Sequence, residues 1–447
     1  MTSKEVESLA LSRFKANEDL INKRAKENIE KYRKGDFSVT ICDADGKPLA
    51  GKSVKITQKS HDFKVGANLF MLDQYETQEE NTAFRELFSE YFNLATVPFY
   101  WKDLEPQEGK TRYQKDSPNI FRRPSPDLCV EYCKEKGIDP KLHCLFYDKF
   151  LPDWMPKTDE AEMMRLYEKR FAEIAERYCG KMYEFEVINE LLSYHSEVSV
   201  LSDRRDILDW VFALAKKYFH DEKLVINEGN FIPEIGAPHI GFHHKYCLLL
   251  ESALQRGVPI GKIGVQNHIY CGMNKPPQEA LPHYMNYFDP ERIIKGLDIL
   301  NSFGLPLEIT ESLIPTLGEG QWAEDLQGEL FKYLYTLWFS TPNMESIVYW
   351  NIIEGSAYSV PSWDENRCGG FIFHRDFSPK PAAKVVKNLF QNEWHTDLTL
   401  TTDNDGNINF KGFYGDYELT VDGENVSFGI HKNGEKSLTV TKTEGKI

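Results

Sequence analysis

The chain has 447 residues, 41% of them hydrophobic and 27% charged, an ordinary globular composition that excludes a disordered, collagen-like or disulfide-scaffold protein. Its 53 basic against 69 acidic residues give a net charge of −16, which would repel a nucleic-acid backbone and so argues against that partner. No run of about 18 apolar residues occurs and the N-terminal segment is charged throughout, so neither a membrane span nor a signal peptide is expected, and the reading is cytoplasmic.

In chain order, residues 5–33 read as a charged helical stretch with apolar positions Leu9, Phe14, Leu20, Ile21, Ile29 and Tyr32. Phe37–Cys42 and Ser53–Ile56 alternate around Asp45-Gly46 and predict a β-hairpin. From about 59 to 391 short apolar runs alternate with helical ones. Eight strands are expected near Phe63–Leu69, Leu94–Pro98, Lys141–Phe146, Phe185–Asn189, Leu224–Asn227, Ile263–His268, Leu307–Thr310 and Ile347–Trp350. The helices between them include Glu160–Arg177, Asp203–Phe219 and Gln321–Phe339. Eight such alternations predict an α/β fold, a (β/α)8 TIM barrel. An open doubly wound sheet is disfavoured, because Gly66-Ala-Asn-Leu lacks the spacing of a phosphate-binding turn.

Residues 392–447 carry five short alternating runs divided by Asp405-Gly406, Asp422-Gly423 and Asn433-Gly434. They predict a small β-sandwich, which the 37–57 segment is expected to join, since an isolated two-stranded hairpin is marginal in water. Trp394, Phe410, Phe413, Tyr414 and Tyr417 could stack on sugars there. Alternating aromatics are more often sandwich core, so a structural brace is the favoured reading.

In a (β/α)8 barrel, polar residues at the C-terminal strand ends are placed to react. Glu190 closes the apolar run Phe185–Asn189, and Glu311 follows Leu307–Thr310. Most glutamates are solvated loop residues or caps. Two at the ends of strands four and seven, on opposite sides of one mouth, instead suggest the paired carboxylates of glycosidic cleavage. The eight cysteines lack zinc-ligand spacing; Cys129 and Cys133, four apart, make a poor half-site. No metal or cofactor is expected.

The residues from about 37 to 391 resemble glycoside hydrolase family 10, the endo-β-1,4-xylanase family. Val187-Ile-Asn-Glu190 is similar to its acid/base motif and Glu308-Ile-Thr-Glu311 to its nucleophile motif. Ile263–His268 is similar to its Gln-x-His segment, and Tyr349-Trp350-Asn with Tyr358 to its eighth-strand aromatic pair. The resemblance implies a retaining hydrolase with Glu190 as acid/base and Glu311 as nucleophile, acting on a β-linked carbohydrate. It further implies that Asn189 bonds the sugar 2-hydroxyl, His268 bonds Glu311, Gln266 and Asn227 support the pair or the sugar, and Trp350 forms a stacking floor.

Two segments depart from the family pattern. Its Glu-Asn-x-Met-Lys-Trp stands here as Thr96-Val-Pro-Phe-Tyr100-Trp101, and its Trp-His as Tyr147-Asp148. Tyr100, Trp101, Tyr147 and Asp148 are therefore the candidate rebuilt sugar contacts. Loss of two donors and gain of an acceptor predicts a pocket that disfavours acidic sugars. The competing expectation is a non-catalytic glycan-binding barrel.

Overall fold

The computed structural model describes residues 1–193 and 199–442. The chain forms two compact units. One comprises Met1–Glu18 and Val65–Ala383; the other comprises Asp19–Lys64 and the chain from Lys384 onward.

The first unit is built on a closed barrel of eight parallel strands. In chain order these are Lys64–Asn68, Leu94–Pro98, Asp139–His143, Glu184–Asn189, Leu224–Glu228, Lys262–His268, Leu307–Leu313 and Met344–Tyr349, called strands one to eight below. Strands two, four, five, six and seven are buried at every position. A parallel strand covered by helices on one side and barrel filling on the other has no wet face, and so shows no polar alternation. Helix boundaries follow local chemistry. Thr77 and Glu80 form a capping box at the start of Gln78–Tyr91, Asp159 caps Glu160–Tyr178, and Pro126–Lys136 ends on Gly137 in the left-handed region (φ 67°).

The expected N-terminal helix is two helices, Ser3–Ala16 and Glu18–Tyr32, divided at Asn17, whose backbone and side-chain N–H groups both donate to the Arg13 carbonyl. In the first, Phe14 stacks on Tyr333 of the barrel helix Gln321–Phe339, with ring centroids 4.8 Å apart. Strand three stops at His143, short of the expected Phe146.

The second unit is a sandwich of two sheets, and the expected hairpin does not form in it. Lys34–Cys42 pairs with Asn407–Phe413 and, in parallel, with Ser437–Thr441. Ser53–Gln58 lies in the other sheet, between Asp397–Thr401 and Gly415–Val421. The two segments thus face each other across a core of Phe37, Val39, Ile41, Val54, Ile56, Ile408, Tyr417, Leu419 and Val421. Burying the apolar side of each strand against a second sheet removes more surface from water than a lone ribbon could. Tyr417 belongs to that core, Phe410 and Tyr414 pack on it, and Phe413 and Trp394 are also buried. Among the described residues, no helix is long and apolar enough to cross a membrane.

The barrel interior holds a column of charge. Lys262 Nζ lies 2.6 Å from Glu184, Lys141 Nζ lies 2.7 Å from Glu308 and 3.7 Å from Glu186, and His143 Nδ1 lies 2.6 Å from Glu186. Burial works against every one of these charges, yet Lys262 and Lys141 hold Glu184 down at about 2. Removing one partner of a buried pair leaves an uncompensated charge. Lys262→Met should therefore cost about 3–5 kcal/mol, read from the urea midpoint of the barrel. Lys262→Met with Glu184→Leu should recover part of that loss.

Candidate active site

The site lies at the C-terminal mouth, where inward residues of strands three to eight converge. Strand four ends with Asn189 paired to Asn227 of strand five. Glu190 follows in the left-handed region (φ 54°), a conformation costly for a side-chain-bearing residue and held only where the surroundings enforce it. Three contacts enforce it. The Glu190 N–H donates to the Asn227 carbonyl at 3.0 Å. The Leu192 N–H donates to Glu228 at 3.1 Å, and Lys245 Nζ donates to the Leu192 carbonyl at 2.9 Å. Strand seven delivers Glu311 from across the mouth.

One amide joins the two carboxylates. Gln266 Nε2, on strand six, donates to Glu190 Oε1 at 2.8 Å and to Glu311 Oε1 at 3.1 Å. The two N–H bonds of a planar amide diverge by roughly 120°, which puts the two Oε1 atoms about 5 Å apart. Glu311 Oε1 also accepts from Asn227 Nδ2 at 2.9 Å, and its Oε2 lies 3.2 Å from His268 Nε2. Asn227 Nδ2 further donates to Asn189 Oδ1 at 2.8 Å, and Thr310 Oγ1 donates to Asn227 Oδ1 at 2.5 Å. The Tyr147 hydroxyl donates to Glu190 Oε2 at 2.7 Å.

The structure therefore brings together Glu190, Glu311, Asn189, Asn227, Gln266, His268 and Tyr147. Trp350 is beside them, its centroid 6.1 Å from that of His268 and 5.3 Å from that of His143. Tyr100 reaches the mouth through its hydroxyl, 2.9 Å from His143 Nε2.

Three candidates are placed elsewhere. Trp101 faces helix Glu160–Tyr178, edge-on to Tyr167 (4.8 Å) and under the Arg170 guanidinium (4.8 Å), with its indole N–H on Glu105. It is adjacent to Tyr100 but points outward from the barrel. The Asp148 carboxylate accepts from the Ser199 N–H and from the hydroxyls of Ser199 and Ser202. Tyr358 is half-buried in the chain after strand eight, where its carbonyl accepts from the Glu365 N–H, and no described contact links it to the carboxylate pair.

Several residues of the site carried no sequence signal. His143 and Glu186 lie beneath the pair, alternating inward on strands that read only as apolar runs. Tyr270 stacks on His268 at 5.0 Å, and the exposed Trp363 meets Tyr270 edge-on at 5.0 Å. Asn230 Oδ1 accepts the His268 N–H at 2.7 Å. Glu228 ends strand five, and nothing in the sequence ties it to Leu192.

The electrostatics follow from burial. Desolvation, with the charges of Glu186 and Glu190 adding to it, pushes Glu311 up to about 8 against the pull of His143. Desolvation also lifts Glu228 to about 8, with Glu190 contributing. His268 is pushed down to about 4 by burial, and so is a neutral imidazole that can donate one hydrogen bond to Glu311. Burial lowers His143, but Glu186 outweighs it and the net shift is upward.

His143, Glu186 and Glu311 place ligand atoms within 4.8 Å of one another, a spacing a cation could bridge. Both nitrogens of His143 are already engaged, by Glu186 and by Tyr100. A metal would have to break one of these bonds, so the donor set fits proton sharing better than coordination. Cys129 and Cys133 are buried, with both thiols pushed up by desolvation, the opposite of a thiolate metal ligand.

The family model for Glycosyl hydrolase family 10 matches residues 57–389. The chain belongs to that family. It is 23% identical over 434 residues to Endo-1,4-beta-xylanase 1 of Arabidopsis thaliana, an alignment covering 95% of this chain and 40% of that protein. It is 24% identical over 405 residues to Anti-sigma-I factor RsgI6 of Acetivibrio thermocellus, covering 89% and 46%. The chain thus spans less than half the length of these relatives. Among solved structures, xylanase 10B from Thermotoga petrophila in complex with xylobiose superposes with a TM-score of 0.56 at 20% identity, covering 74% of this chain and 95% of that one. A family 10 protein from Paenibacillus barcinonensis superposes at 0.57 and 18%, covering 74% and 96%. At these identities the superpositions show a shared fold.

Two outcomes follow from the geometry. Glu311 binds its proton more tightly folded (about 8) than unfolded (4.5). The stability this lends is complete below pH 4.5 and is lost as pH rises through 8. Glu311→Gln should therefore stabilise the fold more at pH 9 than at pH 5 in urea unfolding. The second concerns Gly264, where a Cβ would lie 2.6 Å from Thr310 Cγ2 and 2.9 Å from the Ile226 carbonyl oxygen. Gly264→Ala should displace Asn227 and cut turnover by about 100-fold, with the far-ultraviolet circular dichroism unchanged.

Proposed function

We propose that the protein is a retaining β-glycosidase of the xylanase type, with Glu190 as acid/base and Glu311 as nucleophile. The observation that carries this reading is the single Gln266 amide donating to both carboxylates. The separation of about 5 Å that it imposes falls in the ~5–5.5 Å range of double displacement and short of the ~6.5–9.5 Å needed to seat a water for inversion. Glu311 attacks the anomeric carbon while the bond to the leaving oxygen breaks and Glu190 gives that oxygen its proton. Water then attacks the same carbon, passes a proton to Glu190, and releases the Glu311 carboxylate.

The pair needs one proton between its members, and the raised value of Glu311 supports one being held at neutral pH. A sugar hydroxyl donating to Glu311 and a leaving oxygen accepting from Glu190 favour that proton on Glu190. Asn189, fixed by Asn227, presents its amide to the 2-hydroxyl, where a hydrogen bond strengthens as the transition state forms. Tyr147 orients Glu190. The substrate is a β-linked carbohydrate; the relatives' names and the xylobiose-bound neighbour support xylose-containing chains. The second reading is a barrel that binds glycan without cutting it.

Turnover of aryl β-glycosides and β-1,4-xylo-oligosaccharides separates the two. The hydrolase reading expects β-configured first products by proton NMR and losses on the order of 10³-fold or more for Glu311→Gln. Binding without any turnover would leave only the second reading, and an α-configured first product would exclude retention.

A further inference from the structure

One side of the mouth is filled by packed aromatic rings. On the side of strands one to three, Phe70, Tyr100, Tyr147 and Phe150 form a continuous aromatic cluster with Trp350. Phe70 lies edge-on to Trp350 (5.2 Å) and to Tyr100 (5.9 Å), and Phe150 stacks on Tyr100 at 4.3 Å. The Arg123 guanidinium sits at its centre, 4.5, 5.2 and 5.7 Å from the ring centroids of Tyr100, Phe70 and Phe150. Arg123 is itself pinned, Nε on Asp103 at 2.7 Å and Nη1 on the Arg122 carbonyl at 2.9 Å. Phe70, Tyr100 and Arg123 are 1%, 6% and 8% exposed. On the other side of His268, Tyr270 is half-buried and Trp363 is 37% exposed.

We propose that this arginine-centred aromatic cluster leaves room for only one sugar residue on the non-reducing side of the cleaved bond, so that the protein removes terminal residues instead of cutting within a chain. This rests on the hydrolase reading above. A pyranose seated on Trp350 with its anomeric carbon between Glu190 and Glu311 points its opposite end, bearing the 4-hydroxyl, at Phe70 and Tyr100. A second residue linked through that hydroxyl would have to occupy the volume those side chains and Arg123 fill. The leaving group departs towards Glu190, away from this cluster. Packed aromatic interiors yield little to an inserted ring, since repacking forces side chains off their rotamers.

The test uses the full chain with 4-nitrophenyl β-xyloside, 4-nitrophenyl β-xylobioside and xylohexaose. Expected are a kcat/KM for direct nitrophenol release at least ~10-fold higher from the monoside than from the bioside, and xylose with xylopentaose as the first products from xylohexaose. Phe150→Ala, which trims the half-buried edge of the cluster, should raise the bioside-to-monoside ratio at least ~5-fold. Release of intact xylobiose by the wild-type protein, or mid-chain cleavage of xylohexaose, would overturn the proposal and leave the hydrolase reading standing. No turnover of any of the three substrates would overturn both.

Discussion

A column of opposed charge inside the barrel is the constraint on which the rest of the mouth depends. Lys262, Glu184, Lys141 and Glu308 fill its lower part, where a barrel of this kind usually packs branched apolar side chains. His143 and Glu186 continue it upward to Glu311. Each ion is expensive to desolvate, and the pairs return that cost only if their geometry is kept. The barrel strands are therefore locked in register by contacts that do not tolerate slippage, unlike a greasy core that could repack. The carboxylates at the top inherit that rigidity.

Burial in this column also sets the acid–base properties. Glu311 is dry, close to two other acids, and reached by three donors at once. Those donors come from strands five and six, and each is held in turn: Asn227 by Thr310, Gln266 by its second acceptor, and His268 by Asn230 through the backbone. An amide that bonds both members of a carboxylate pair fixes their spacing with one side chain. Of the two carboxylates it is Glu190 that sits in the left-handed region, and the residues that hold it, Asn227, Glu228 and Lys245, all lie on strand five or in the chain that follows it.

The barrel and the paired acids were legible because each depends on chemistry local in the sequence. Apolar runs of strand length, capped helices between them and a glutamate after an apolar run need no knowledge of distant partners. The hairpin expected at 37–56 fails for the opposite reason. Its alternation marks both segments as half-buried strands, but which strand each pairs with is decided by Asn407–Phe413 and Asp397–Thr401, some 340–370 residues away. Trp101 and Asp148 show a second limit. Neighbours in a turn point in opposed directions, and sequence does not say that Asp148 meets Ser199 or that Trp101 meets Tyr167. Arg123 gave no signal, since an arginine in a loop looks like any solvated cation until three rings are found around it.

The interleaving of the sandwich from both ends of the chain has a consequence for biosynthesis. As the polypeptide leaves the ribosome, Lys34–Cys42 and Ser53–Gln58 emerge early, with their pairing edges and apolar faces exposed and every partner strand still untranslated. The barrel, whose strands pair with their sequential neighbours apart from the closing seam, can assemble during that interval. The two early segments must wait, as sticky ribbons, until the partner strands between Asp397 and Thr441 have been made. Chaperone occupancy during synthesis should concentrate on those two segments, of nine and six residues, and not on the much larger barrel.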